Sequence, residues 1–244
     1  MGFYEELKAK TEQLVRERGL EGYPVEVKGK VLTPVEAIGD PQRRDFPILK
    51  GKEFMVEADF QGCKGQAFTG EPQGFQGTLK EILTIPLREK SSGEKAAFIA
   101  TLNAVMNYLN LADRTRHCHN EKPENCAREL GSYIKEKYGN VRIGFVGYQP
   151  AMIDHLHRDF ELRALDLNPD NIGKVKSGVL IEDGEKNRDE VVQWADILLV
   201  TGSTVANGTI EYFYSLEKPV LFYGNTIAGT AVLMGLERVC FFGN

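Results

Sequence analysis

Long hydrophobic runs are missing from this 244-residue sequence, and no stretch approaches the roughly 20 apolar residues needed to span a bilayer. The N-terminus, MGFYEELKAK, carries acids where a signal peptide would be apolar. The reading is a cytoplasmic protein without membrane insertion. An excess of basic charge is also missing: 30 Lys and Arg stand against 35 Asp and Glu, for a net charge of -5. No positive field draws nucleic acid or an anionic membrane, so the expected partner is a small-molecule ligand, with a homo-oligomer left open. Cysteine is scarce. Cys63, Cys118, Cys126 and Cys240 are too few and too irregularly spaced for a disulfide framework, and read as reduced thiols.

The hydrophobic content of 42% is enough for one large core or two of ordinary size. Helical periodicity predicts a first helix over residues 3–18, stopped by Gly19. Val25, Val27 and Val31, then residues 35–38, then 53–60, read as strands of an antiparallel meander with turns at 39–45 and 49–52. Five glycines among the sixteen residues 62–77 read as a surface loop or a lid. Thr78 and Glu81 make a capping box. The helix predicted over 93–111 has a core stripe of Phe98, Leu102, Val105 and Leu109. Its other face carries Asn103, Asn107 and Asn110, read as solvated or turned toward a cleft. Charges accumulate over 113–126, which reads as a linker with a boundary near 118.

Beyond it, helices alternate with apolar strands, the pattern of a parallel α/β domain. Strands are predicted at 142–146, 163–167, 179–181, 196–200, 220–223 and 238–242, with helices at 123–139, 190–194, 209–216 and 227–235. Three of these strands run into small polar loops: GFVGYQP, LLVTGSTVANGT and LFYGNTIAGT. In parallel sheets ligands bind at such strand ends. Asp166 lies about 20 residues after Gly147, where an acid grips a ribose diol, but G-x-G-x-x-G is absent and Tyr148 with Pro150 obstructs a pyrophosphate. Ser203 lacks both the G-x-S-x-G elbow and a following histidine, so Thr201, Ser203, Thr204 and Thr209 read as hydrogen-bond donors to a ligand, not as nucleophiles. Tyr148, Asp166 and Tyr223 are the candidates for catalysis. His117, Cys118 and His119 are weak candidates for metal, since a structural zinc site needs four ligands at recognisable spacing. His155 and His157, two apart on a helix, point in different directions.

The segments GFVGYQPAMID, LDLNPDNIG, ADILLVTGSTVANGTIE and KPVLFYGNTIAGT, in that order, resemble the heavy-metal chelation family of bacteria and archaea, long classed as of unknown function. GCKGQAFTG and LNAVMN resemble the smaller domain that precedes them there. The resemblance implies an α/β chain in which an enolase N-terminal-like α+β domain, residues 1–117, is followed by a Rossmann-like parallel-sheet domain, residues 118–244. It also implies a cleft between them lined by Gly147, Tyr148, Asp166, Asn168, Pro169, Asn171, Thr201, Gly202, Ser203, Thr204, Asn207, Gly208, Thr209, Gly224, Asn225 and Thr226. The resulting expectation is an enzyme of condensation, hydrolysis or group transfer on a pterin-, flavin-, corrin- or siderophore-like molecule linked to metal chelation. Two alternatives stand beside it: a non-catalytic protein that binds or senses a metal chelate, and a methyltransferase-like protein using S-adenosylmethionine. A titrating group in the cleft separates enzyme from binder. On this reading Gly202→Val abolishes binding and leaves the fold intact.

Overall fold

The structure, a computed structural model, describes residues 2–28, 31–51 and 53–244. Its first sheet is antiparallel, with β1 (Pro24–Val27), β2 (Phe54–Phe60), β3 (Cys63–Thr69) and β4 (Phe75–Thr78) in the order β3-β2-β1-β4. Gln61 and Gly62, at φ 53° and 81°, join β2 to β3 as a two-residue hairpin. The glycine-rich segment expected to be a loop or lid is therefore mostly strand, paired with β2 from Phe54↔Thr69 to Phe60↔Cys63 and, through β4, with β1. Tertiary packing overrides the weak strand preference of glycine here. A Cβ on Gly65 would lie 2.3 Å from both the Ala100 carbonyl oxygen and the Ala104 nitrogen, so only glycine lets strand and helix backbones touch.

The helices of this half are α1 (Phe3–Glu17), α2 (Pro34–Ile38), α3 (Leu79–Leu83) and α4 (Ser92–Tyr108). α2 replaces the strand expected at 35–38. Thr33 and Glu36 form a capping box and Pro34 sits in the first turn, a helix-start pattern that outweighs the apolar run. α3 opens on the capping box of Thr78 and Glu81. Residues Pro47–Lys50 form a short 3-10 turn closed by Gly51 in the left-handed conformation; Lys52, the last residue of the turn expected there, lies outside the described residues. α4 is buried on all sides from Lys95 to Met106. Asn103, on the face expected to be solvated or cleft-facing, is fully buried; Asn107 is half-buried and Asn110 exposed.

The second sheet contains β5 (Ile143–Val146), β6 (Leu162–Asp166), β7 (Val175–Lys176), β8 (Val179–Asp183), β9 (Ile197–Thr201), β10 (Val220–Tyr223) and β11 (Arg238–Val239), in the order β11-β10-β9-β5-β6-β8-β7. Neighbours are parallel except β7, an antiparallel edge strand that the sequence did not announce. The parallel strands follow the doubly wound order, which reverses between β5 and β9; ligands of such sheets bind beyond the strand ends at that reversal. Around the sheet lie α5 (Lys122–Tyr138), α6 (Pro150–Leu156), α7 (Arg188–Trp194), α8 (Thr204–Asn207), α9 (Ile210–Tyr214) and α10 (Ala228–Met234).

β9 makes the layering explicit. Leu198 and Val200 join an apolar cluster with α4, α1 and the first sheet, while Ile197 and Leu199 join a second cluster with α5, α6 and α2. The strand is buried on both faces, which is why it reads as a continuous aliphatic run. Each sheet is drawn from one side of position 118, but the first apolar core crosses it.

This packing generates a test. Gly65→Ala forces a side chain into the α4 backbone and is expected to cost about 2–3 kcal/mol in urea unfolding. Gly70→Ala, where a Cβ meets nothing within 4 Å, should change stability by less than about 1 kcal/mol.

Candidate functional site

The strand ends at the reversal open on a cavity of about 920 Å³, roofed by residues of the first half including Ile38, Phe46, Ile48, Glu53 and Phe68. Every cleft residue proposed from the sequence lines it except Gly208; of the metal candidates, His117 and Cys118 line it and His119 does not.

At the end of β5, Gly147 has φ 93°, and a Cβ there would lie 2.7 Å from Thr201 Cγ2 and 3.1 Å from the Tyr223 hydroxyl. Tyr223 stacks on Phe145 with centroids 5.1 Å apart and donates its hydroxyl to the Val146 carbonyl at 3.0 Å. Burial holds that phenol well above its ordinary range, so it clamps strand ends and has no readily lost proton. Tyr148 is half-buried, with its hydroxyl 3.4 Å from Asp45 Oδ2. Burial first, then the Asp45 charge, pushes it up to about 12.

After β6, Asp166 folds the loop upon itself. It accepts from the Leu167 nitrogen at 2.7 Å, the Asn168 nitrogen at 3.2 Å and Asn171 Nδ2 at 2.6 Å. Asn168 in turn accepts from the Asp170 nitrogen at 2.9 Å, next to Pro169. With both carboxylate oxygens engaged, Asp166 is poorly disposed to grip a ribose diol.

After β9, Thr201 and Ser203 hydroxyls lie 2.8 Å apart, and Thr204 donates to the Thr201 carbonyl at 2.8 Å. The Thr201–Ser203 pair uses one of its two hydroxyl hydrogens, and Thr201 also meets the Tyr223 hydroxyl. Asn207 accepts from the Thr209 nitrogen and hydroxyl at 3.0 and 2.7 Å, across Gly208 in the left-handed conformation. After β10, Gly224 (φ 96°) turns the chain so that Thr226 accepts from the Phe68 nitrogen at 3.1 Å. Asn225 is buried, and its Oδ1 has no hydrogen-bond partner.

Three features of the site escape sequence reading. Glu53 lines the cavity and makes no hydrogen bond or ion pair with a described residue; burial first, then the Asp166 charge, raises its carboxyl to about 7. It belongs to no motif, and only the fold brings it opposite Asp166. Residues 39–45, expected as a turn, form with Phe46 a strap fastened by Asn120 Oδ1 to the Asp40 nitrogen at 3.0 Å and by Arg43 to Asp154 at 2.9 Å and to Glu124. Cys126 and Cys240, far apart in sequence, line the cavity with Cys118 and His117.

The histidine pairs divide between different surroundings. His117 Nδ1 lies 2.6 Å from the Cys118 carbonyl and must therefore carry hydrogen, leaving its lone pair on Nε2. Burial pushes this ring down to about 4. His119 Nε2 is buried without a partner, His155 meets Glu124 at 2.8 Å, and His157 bonds the Ile153 carbonyl at 3.0 Å. Among the described residues no group of three or more His, Cys, Asp or Glu is placed to hold a metal ion. Of the candidate trio, His117 and Cys118 line the cavity and His119 does not.

Gly202 also departs from expectation. Its nitrogen donates to the Tyr223 carbonyl at 2.9 Å, and a Cβ would lie 2.9 Å from the Ile227 nitrogen. Gly202→Val is thus expected to destabilise the fold by about 3 kcal/mol, contrary to the fold-neutral outcome read from sequence. Ser203→Ala, facing the cavity, should cost less than about 1 kcal/mol in the same thermal unfolding assay.

No curated protein matches the chain. Residues 133–226 match the profile of the DUF364 family, whose description is "Putative heavy-metal chelation". Two crystal structures of DUF364 proteins of unknown function share the fold. One, from Pyrococcus horikoshii, is 14% identical with a TM-score of 0.56, covering 92% of this chain and 79% of its own. The other, from Desulfitobacterium hafniense, is 14% identical with a TM-score of 0.52, covering 75% of this chain and 72% of its own. Residues 133–226 thus carry the pattern of the heavy-metal chelation family, the same family that the sequence motifs resemble.

Proposed function

We propose that this chain is an enzyme that carries out condensation, hydrolysis or group transfer on a polar, ring-bearing small molecule, of pterin, flavin, corrin or siderophore type, connected with metal chelation. The observation that carries this reading is Glu53: a carboxyl in the cavity wall with no partner among the described residues, whose affinity for its proton is raised to about 7 by burial and by Asp166. A group that exchanges a proton near pH 7 is what general acid–base catalysis needs.

In this reading Glu53 takes and returns the proton, and Asp166 is the positioning residue whose charge sets its affinity. The Thr201–Ser203 pair, Thr204, Asn207 and Thr209 hold carbonyl or anionic groups of the substrate. Tyr148 orients the reacting part from the strap side, and Tyr223 fixes the loop ends. The S-adenosylmethionine alternative is less favoured, because the Asp166 oxygens are already bonded within their own loop. Residues 1–117 and 118–244 are proposed as the two domains, with the cavity between them.

A ¹³C NMR titration tests the reading. The Glu53 carboxyl should titrate near 7, and lower in Asp166→Asn; a midpoint in the ordinary range of 4–5 in the unmodified chain would remove the proposed acid–base group. Stability should follow the same sign. Because the folded-state value lies above the unfolded one, the contribution of Glu53 is complete below about pH 4.5 and is lost as pH rises through 7. Glu53→Gln should therefore stabilise the protein by on the order of 2–3 kcal/mol at pH 9 and by little at pH 4.

A further inference from the structure

The family description points to a heavy metal, but the donor set does not fit a bare one: no group of three potential ligands among the described residues is placed to enclose an ion. One end of the cavity nevertheless gathers soft donors. His117 and Cys118 come from the segment after α4, Cys126 from α5 and Cys240 from the segment after β11, and all four line the same wall. We propose that this end receives a metal ion that arrives already held by an organic chelator, with His117 Nε2 as the one ligand the protein adds. The inference rests on the reading that the cavity takes a chelator-like molecule.

The orientation of His117 is the first argument. Its Nδ1 is tied to the Cys118 carbonyl at 2.6 Å, its main-chain nitrogen donates to Gln66 Oε1 at 2.7 Å, and its ring stands edge-on to Phe68, with centroids 5.5 Å apart and planes at 88°. Tautomer and ring plane are both fixed, and Nε2 has no hydrogen-bond partner among the described residues. Metal-binding imidazoles have their second nitrogen fastened in this way, often to a main-chain carbonyl.

Charge is the second argument. A bare divalent cation entering here would lose its hydration and find no group of three or more His, Cys, Asp or Glu among the described residues placed to replace it. A metal neutralised by the anionic groups of its own chelator avoids that penalty and needs from the protein only a neutral donor. The cavity, at about 920 Å³, has room for the organic part as well.

The neutral 1:1 complex of Ni²⁺ with iminodiacetate, which leaves coordination positions open, is a direct probe. Calorimetry should give one site per chain, weakened about tenfold or more in His117→Gln. In the unmodified chain, the His117 Cε1–H resonance should broaden at substoichiometric probe, before those of His119, His155 and His157; this measurement does not depend on the variant folding. Hydrated Ni²⁺ without chelator should bind at His117 at least about tenfold more weakly than the complex. Broadening that spares His117, unchanged affinity in His117→Gln, or equal binding of the bare ion would each overturn the proposal. The Glu53 titration is independent of all three outcomes, so the enzyme reading can stand or fall separately.

Discussion

The cavity depends on one buried amide. Asn103, in the middle of α4, donates through Nδ2 to the Gln66 carbonyl of β3 at 3.0 Å and to the Thr226 carbonyl beyond β10 at 2.9 Å. Its Oδ1 accepts from the Gly229 nitrogen at the start of α10 at 2.7 Å. A buried amide with an unmet group would be costly; here donor and acceptor are both used, and the three partners belong to β3 of the first sheet, to the loop after β10 and to α10. The glycines on either side complete the constraint. Gly65 lets β3 touch the α4 backbone, and a Cβ on Gly229 would lie 3.0 Å from Met106 and 3.1 Å from Leu102. The first sheet and α4 therefore serve as the covering layer of the second sheet, and the space left between them at the strand reversal is the cavity.

The same economy governs the site itself. Its hydroxyls and carboxylates are mostly engaged with their own loops: Asp166 with three partners, Asn207 with Thr209, Thr201 with Ser203. Such loops are set before a ligand arrives, which reduces the ordering cost of binding. Against this background Glu53 stands apart as a carboxyl in the cavity wall with no partner among the described residues. The strap at 39–46 fixes the roof above it, with Gln42 bonded to Glu121 at 2.8 Å and Asp45 in reach of Tyr148.

The parallel half of the fold was legible because its signals are local. Aliphatic runs ending in glycine and short polar residues mark β5, β9 and β10, and the loops that follow them line the cavity together. The antiparallel half was less legible. Gly65 looks like a loop residue until the helix that needs its missing side chain is known, and residues 35–38 read as a strand until Thr33 and Glu36 are seen to cap a helix. Asn103 carried a signal, as an amide on a helix with apolar neighbours, but its burial required the second sheet. Cys126 had a weak one, its nearness in sequence to Cys118 and the His117–His119 pair; Glu53 and Cys240 had none. These two meet Asp166 and Cys118 only through contacts between residues more than one hundred positions apart, and no spacing along the chain records that.

The central claim is that the cavity at the β5–β9 reversal is where a small molecule is bound and transformed. Native mass spectrometry of protein purified without denaturation tests it most directly, comparing the unmodified chain with Ser203→Phe, which fills the cavity from the β9 loop. The account predicts a single small-molecule adduct on the unmodified chain that is absent from a folded Ser203→Phe. An adduct retained equally by both would contradict it.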